Sequence, residues 1–392
     1  MRILMQWLAE AGHEVSVLST ARFDARPPAD LLKHLAEHGI EARRTPPSKA
    51  FLRTVKRVSN LGPGKPVLDF ELNGVSVRML MTKAPPNTPA DRFEADQFLF
   101  LLDEMLAASS IDILVTYGGH WVVQEAMRRA RERGVTTVFS LRNWGYEDRQ
   151  FYQHVDHVFT TSPYLSEQYR RRVGLRSVGI ESPIEWAEVE APEEMRRFVT
   201  FVNPSSGKGS LLFARLADML GSSRPDIPIL VVQSAHSAGR LNALPGLDFS
   251  KYPHIMAAPP TPRPADFFAL TRILLVPSTA SEPFGRVAAE ALVNGIPPIV
   301  SERGGLPETV GAGGIVLPLP EWLSPESTEL PSAGEARPWF EAVCGLWDDP
   351  VRYERASRLA RAEAEQRFAE SVMRRRYLDY FEALGPREQL FE

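Results

Sequence analysis

Short apolar runs alternate with helical stretches twice along this chain, and that pattern limits its fold more than any other feature. Glu14 to Leu18 (EVSVL), Asp112 to Thr116 (DILVT) and Thr136 to Leu141 (TTVFSL) each read as a strand. Val122 to Arg133, between the last two, reads as a helix, which makes a βαβ unit. The pattern returns in Arg197 to Val202 (RFVTFV), Ile229 to Gln233 (ILVVQ), Ile273 to Val276 (ILLV) and Pro298 to Ser301 (PIVS). Runs this apolar suit parallel strands covered on both faces. Asp69 to Leu80 carries Asn73-Gly74 between two β-prone runs, the signal of a hairpin. Two successive α/β sets predict two doubly wound domains. The expected linker is Gly179 to Pro192, an acidic stretch bracketed by Pro183 and Pro192, and helical patterns are expected to return after Pro338.

The length of 392 residues, 44% hydrophobic, supports two cores of ordinary size. A formal net charge of -4 gives no electrostatic surface for duplex DNA or anionic lipid, so a small or neutral partner is expected. The single cysteine, Cys344, excludes an internal disulfide framework and fits a reducing compartment. No apolar run approaches the ~20 residues of a membrane span. Met1 to Leu8 lacks the pattern of a secretory signal, and the expectation is a soluble, cytoplasmic protein. Ile3, Leu4, Trp7, Leu8 and Ala11 recur at helical spacing up to Gly12. The chain is therefore expected to open inside a helix, lacking the first strand of its first domain.

The residues with chemistry gather where strands end. Ser281 to Gly285 (SEPFG) follows the strand ending at Val276 and precedes a helix closed by Gly295, so it belongs to the carboxyl edge of a parallel sheet. Glu282 lies in that loop. Glu290 is about 7 to 8 Å up the helix axis, at 1.5 Å per residue, and helical side chains tilt back toward the N-terminus. A carboxylate accepts two hydrogen bonds, which suits vicinal hydroxyls, and two carboxylates flanking a phosphate site suit hydroxyls on either side of a diphosphate. Asn203 to Ser210 (NPSSGKGS) joins a strand to a helix and brings Lys208 and nearby amides to an anion. Gly304-Gly305 follows the strand at Pro298 to Ser301 and lets backbone N–H groups approach a ligand. In the first half, Gly118-Gly119-His120 offers an imidazole after a strand, either as a cleft residue or as a satisfied structural histidine, and Asn143, Trp144 and Tyr146 follow another, either to bind an acceptor or to close a loop.

Other patterns carry less. His34-Leu-Ala-Glu-His38 spells an inverted zinc-protease motif, but Leu31, Leu32 and Leu35 make it one face of a helix. Gly62-Pro-Gly-Lys65 and Gly207-Lys-Gly-Ser210 lack the spacing of a phosphate-loop ATPase.

Glu282, Phe284, Gly285 and Glu290, followed by Asn294-Gly-Ile-Pro297 and Gly304-Gly-Leu-Pro-Glu308, resemble the motif of retaining GT-B glycosyltransferases of family 4, the glycosyl transferases group 1. The resemblance runs from Gly12-His-Glu-Val15 through Asn203 to Gly209 and on to the terminal helices. It implies an α/β GT-B fold, two Rossmann-like domains facing a cleft. The acceptor side would be 1–183 and the donor side 184–365, with 366–392 a helical segment packing back toward the first. It implies that Glu282, Phe284 and Gly285 hold the donor sugar, that Glu290 holds the nucleotide ribose, and that Lys208 neutralises the diphosphate. Gly209, Gly304 and Gly305 would add backbone contacts, and His120 would join Glu282 and Lys208 as a catalytic candidate. Where the family commonly has an arginine this chain has Asn203, so phosphate neutralisation falls to Lys208, Arg286 and helix dipoles.

The implied reaction moves a sugar from a nucleotide diphosphate to a hydroxyl with retained configuration, using no metal and no cofactor beyond the nucleotide-sugar co-substrate. The implied acceptor is a sugar, a lipid-linked or a small-molecule hydroxyl compound, with no nucleic acid and with membrane contact only through the acceptor. Two alternatives stand beside it. One is an epimerase or phosphorylase on the same fold; the other is an inactive nucleotide-sugar-binding form, given the expected absence of the first strand.

Overall fold

The computed structural model describes residues 1–21, 31–58, 64–82, 91–233, 251–385 and 389–391. They form two compact units, Met1–Phe159 with Tyr377–Glu392, and Thr160–Arg376. These compact units divide between Phe159 and Thr160, a different criterion from the 183/184 boundary that the resemblance implies. Gly179 to Pro192 lies inside the second unit because specific bonds tie it there. Trp186 Nε1 donates to Phe368 O at 2.7 Å and Ala191 N to Asn294 Oδ1 at 2.9 Å. The terminal helix Glu370–Glu382 changes units at Tyr377, whose ring lies 6.2 Å from Trp7 and 5.9 Å from Phe159.

In the first unit the helix Arg2–Glu10 buries Leu4, Trp7 and Leu8, as their spacing predicts. The strands are β1 Val15–Thr20, β2 Ala42–Thr45, β3 Val67–Leu72, β4 Val75–Leu80, β5 Ile113–Thr116, β6 Thr136–Leu141 and β7 His157–Thr160. The expected hairpin joins β3 to β4, with positive φ at both Asn73 (51°) and Gly74 (74°), the geometry that matches the twist of paired strands. These strands do not make one doubly wound sheet. One sheet has the order β1-β4-β3-β2; another runs β5-β6-β7. β1 and β5 are end strands of these separate sheets, and both line one cleft of about 1940 Å³. β5 is only half-buried along its length, while β6 beside it is buried at five of six positions.

The second unit adds β8 Val178–Gly179, β9 Phe198–Val202, β10 Ile229–Val232, β11 Ile255–Ala258, β12 Thr271–Val276, β13 Pro298–Ser301 and β14 Ile315–Leu317. Six of them form a parallel sheet of order β11-β10-β9-β12-β13-β14. The chain enters at its middle, winds outward one way through β10 and β11, then returns beside β9 to wind the other way. Alternate residues therefore serve opposite faces. Val199, Phe201 and Leu275 pack with Phe213 of the helix Ser210–Ser223 and Trp339 of the helix Ala333–Asp348. Phe198, Leu274 and Val276 pack with Ala288 and Ala291 of the helix Arg286–Val293. The helix expected after Pro338 begins before it, at Ala333, because Ser332 and Glu335 form a capping box that sets the start. Among the described residues no helix is long and apolar enough to cross a membrane.

Candidate functional site

The reversal of winding between β9 and β12 makes a topological switch point, and open α/β sheets take ligands at the carboxyl ends of the strands flanking it. Two loops leave there. Asn203 to Gly209 follows β9, and Pro277 to Gly285 follows β12. They are stitched together: Thr279 N and Ala280 N donate to Gly207 O at 3.1 and 3.0 Å, and Thr279 Oγ1 donates to Ser206 O at 2.8 Å. Gly209 has φ 82°, and a β-carbon there would lie 1.8 Å from Pro277 O, so only glycine permits this approach. The loop after β13 closes on the other side. A β-carbon on Gly304 would lie 2.3 Å from Glu282 N, and Gly305 N donates to Glu282 O at 2.7 Å.

This geometry brings Lys208 to Glu282. Lys208 Nζ donates to Glu282 Oε1 at 2.7 Å, and Ser278 Oγ donates to the same oxygen. Ser278 is placed in turn by Ser301 Oγ, which donates to its carbonyl at 2.7 Å. Along the helix, Arg286 Nε donates to Glu290 Oε1 at 2.7 Å. Burial pushes the Glu290 carboxyl above the usual carboxylate range, while the Arg286 guanidinium pulls the other way. Arg286 is half-exposed and Glu290 is buried.

Several candidate residues do something more specific than their sequence positions suggest. The Phe284 ring is buried, edge-on to Phe368 at 5.9 Å, so it leaves only its backbone for a ligand. Gly305 spends its N–H on Glu282, which makes it a support of the loop. Asn203 takes φ 62°, uncommon for a residue other than glycine, and its N–H donates to Val232 O at 2.9 Å. Gly209 and Gly285 are the N-cap residues of the helices Ser210–Ser223 and Arg286–Val293, and neither helix has a side-chain cap.

His120, Asn143, Trp144 and Tyr146 belong to the first unit. His120 caps the helix Trp121–Glu132, its Nδ1 accepting from Val122 N at 3.3 Å, and it lines the cleft beside β5. Tyr146 packs edge-on to Phe139 at 5.4 Å and its carbonyl accepts from Tyr152 OH at 2.9 Å, which is the loop-closing role. Asn143 is exposed and Trp144 half-buried. His34 and His38 lie along an exposed helix end, His38 Nδ1 being 2.8 Å from His34 O. Gly62 lies outside the described residues.

Sequence reasoning missed Ser162, Tyr164, Ser278 and Thr309. Each bonds the Glu282 loop. Ser162-Pro163 does carry a local signal, a helix cap followed by proline at the first helical position, but nothing local says what the cap also touches.

A six-stranded parallel sheet with two stitched loops leaving its switch point is a doubly wound α/β architecture. Comparison with solved structures narrows this to the GT-B fold. The chain is similar to a glycosyltransferase from Rickettsia africae ESF-5, at 14% identity over 97% of this chain and 93% of that one, with a TM-score of 0.65. It is similar to sucrose-phosphate synthase from Thermosynechococcus elongatus, at 17% identity over 97% and 91%, TM-score 0.64. Anabaena HepE in complex with UDP-glucose matches at 14% identity over 95% and 100%, TM-score 0.60. A search of curated proteins found no match in sequence. Residues 1–182 match the glycosyl transferase 4-like domain, and residues 254–322 match the glycosyl transferases group 1 domain. The chain thus carries two stretches that match glycosyltransferase domains, and Glu282, Phe284, Gly285, Glu290, Gly304 and Gly305 all fall within the second match.

Proposed function

We propose that this chain transfers a sugar from a nucleotide diphosphate to an acceptor hydroxyl, with retention of anomeric configuration. The observation that carries the reading is the contact of Lys208 with Glu282 at the switch point of the parallel sheet. An arriving diphosphate competes with Glu282 for the Lys208 ammonium and meets two helix N-termini without side-chain caps. Breaking the glycosidic bond builds charge on the departing diphosphate, and positive groups already fixed beside it stabilise that state more than the ground state. In this reading Lys208 and the helix dipoles do the work that a bound cation does in other transferases. Glu282, released from Lys208, accepts from the sugar hydroxyls, with the Phe284 and Gly285 backbone beside it. Glu290 accepts from the ribose. His120 is the first unit's candidate on the acceptor side.

Support for the donor class comes from HepE, whose structure holds UDP-glucose. The acceptor in this reading is a sugar, lipid-linked or small-molecule alcohol, and the setting is cytoplasmic glycan synthesis. The test is direct. Glu282→Ala and Lys208→Ala should each lower transfer by at least about a hundredfold while melting within a few degrees of the parent. Turnover retained in both folded variants would overturn the reading. Product analysis with donor alone separates transfer from epimerase or phosphorylase chemistry, which would yield an epimer or a sugar phosphate without acceptor.

A further inference from the structure

The loop that presents Glu282 is held at four consecutive residues by four different partners. Ser281 Oγ is 3.0 Å from Tyr164 OH, and Glu282 O accepts from Gly305 N at 2.7 Å. Pro283 O accepts from Ser162 Oγ, and Phe284 O accepts from Thr309 Oγ1. Gly305 and Thr309 come from the neighbouring loop and helix after β13, so their closeness follows from the sheet. Ser162 and Tyr164 come from a segment more than a hundred residues away, at the start of the helix Pro163–Val173. The same two residues are themselves anchored. Ser162 Oγ accepts from Leu165 N at 3.0 Å as the helix cap, and Tyr164 N donates to Glu308 Oε1 at 3.1 Å. Ser162 is fully buried.

We propose that Ser162 and Tyr164 are positioning residues that hold the Ser281–Phe284 loop so that the Glu282 carboxylate meets the donor sugar. The inference rests on the reading of Glu282 as the sugar ligand. Their hydroxyls reach the residues on either side of Glu282. Ser162 fixes the carbonyl of the next residue in the chain, and Tyr164 fixes the side chain of the preceding one, so the loop cannot rotate Glu282 away without breaking a bond at either side. Orientation is costly to lose, since a displacement of about 1 Å at a reacting group can lower a rate by roughly a hundredfold. The diphosphate, held by Lys208 on the other loop, should be indifferent to this brace.

That asymmetry supplies the experiment. Binding of UDP, ADP, GDP and dTDP, and of their glucose conjugates, is measured by calorimetry for the parent chain, Tyr164→Phe, Ser162→Ala and Glu282→Ala. Tyr164→Phe removes one hydroxyl and no packing. The expected result is an unchanged affinity for the free nucleotide diphosphate and a loss of roughly tenfold for the sugar conjugate, with the melting temperature preserved. Ser162→Ala should show the same split with an added loss of stability, because it also removes a helix cap. Equal affinities for both ligands in Tyr164→Phe and the parent overturn the inference, as does an equal loss of both. Glu282→Ala separates the two readings: if it binds the conjugate as the parent does, or if the parent binds none of the eight ligands, the donor reading itself fails and the brace has no sugar to serve.

Discussion

Glu290 shows how one buried charge ties stability to ligand chemistry. Burial raises its pKa, so the folded chain holds the proton more tightly than the unfolded chain does. The sign follows from linkage. Below the unfolded value, about 4.3 for glutamate, both states are protonated and nothing is lost. As pH rises from there through the raised folded value, the unfolded state ionises first and the fold loses stability. Glu290→Gln keeps the shape and cannot ionise, and the Arg286 it leaves is half-exposed and free to turn to water. The variant should therefore melt with the parent near pH 4 and above it at pH 8, read as a difference in melting temperature that grows with pH. A gain of equal size at both pH values would show that ionisation is not its source. In the proposed reading the same variant binds donor more weakly, the opposite sign expected of a group retained for function.

At the scale of elements, the site depends on loops meeting across strands, and Gly209 is where they meet. Gly209→Ala puts a methyl 1.8 Å from Pro277 O at a positive φ, so either the Asn203 to Gly209 loop or the Pro277 to Gly285 loop must move. A destabilisation of about 2–4 kcal/mol is expected, read as a lower urea midpoint. A variant that unfolds with the parent would show that the two loops separate cheaply. The sequence makes the local half of this arrangement visible. β13 spans Pro298 to Ser301 as expected, β9 and β12 lie within a residue or two of expectation, and the Glu282 and Glu290 spacing correctly assigns one carboxylate to a loop and the other to a helix. The tertiary half is not visible. β7 reads His-Val-Phe-Thr, too short for a period, and its His157 is satisfied by Gly385 O at 3.1 Å, far along the chain. β11 and β14 are edge strands of four and three residues. The Lys208–Glu282 pair and the Ser162 and Tyr164 bonds join segments separated by seventy or more residues, where no spacing rule applies.

Across the whole molecule, the two units differ in how completely their parallel strands are covered. β9 and β12 lie at the centre of a six-stranded sheet, paired on both edges and buried at nearly every position. β1 and β5 pair on one edge and line a cleft; Ser19 Oγ on β1 and Thr116 Oγ1 on β5 are buried there without a hydrogen-bond partner. A parallel strand draws its stability from helices on both faces and neighbours on both edges, so β5, half-buried with Ile113, Leu114 and Val115, has less to lose on opening. Local opening free energies within one protein range from near zero to the global value, following burial and pairing. Native-state hydrogen exchange should therefore rank these strands. Amides of β5 and β1 should exchange at least roughly a hundredfold faster than those of β9 and β12. Saturating the donor site, at about 100 times its dissociation constant, adds about 2.7 kcal/mol to whichever openings destroy that site, and should slow β9 and β12 by a further factor of about a hundred. Equal protection of β5 and β12 in the free chain would mean that the open edge costs the first unit nothing. Slower exchange in β12 alone after donor addition would restrict the site to the Glu282 loop, without Lys208.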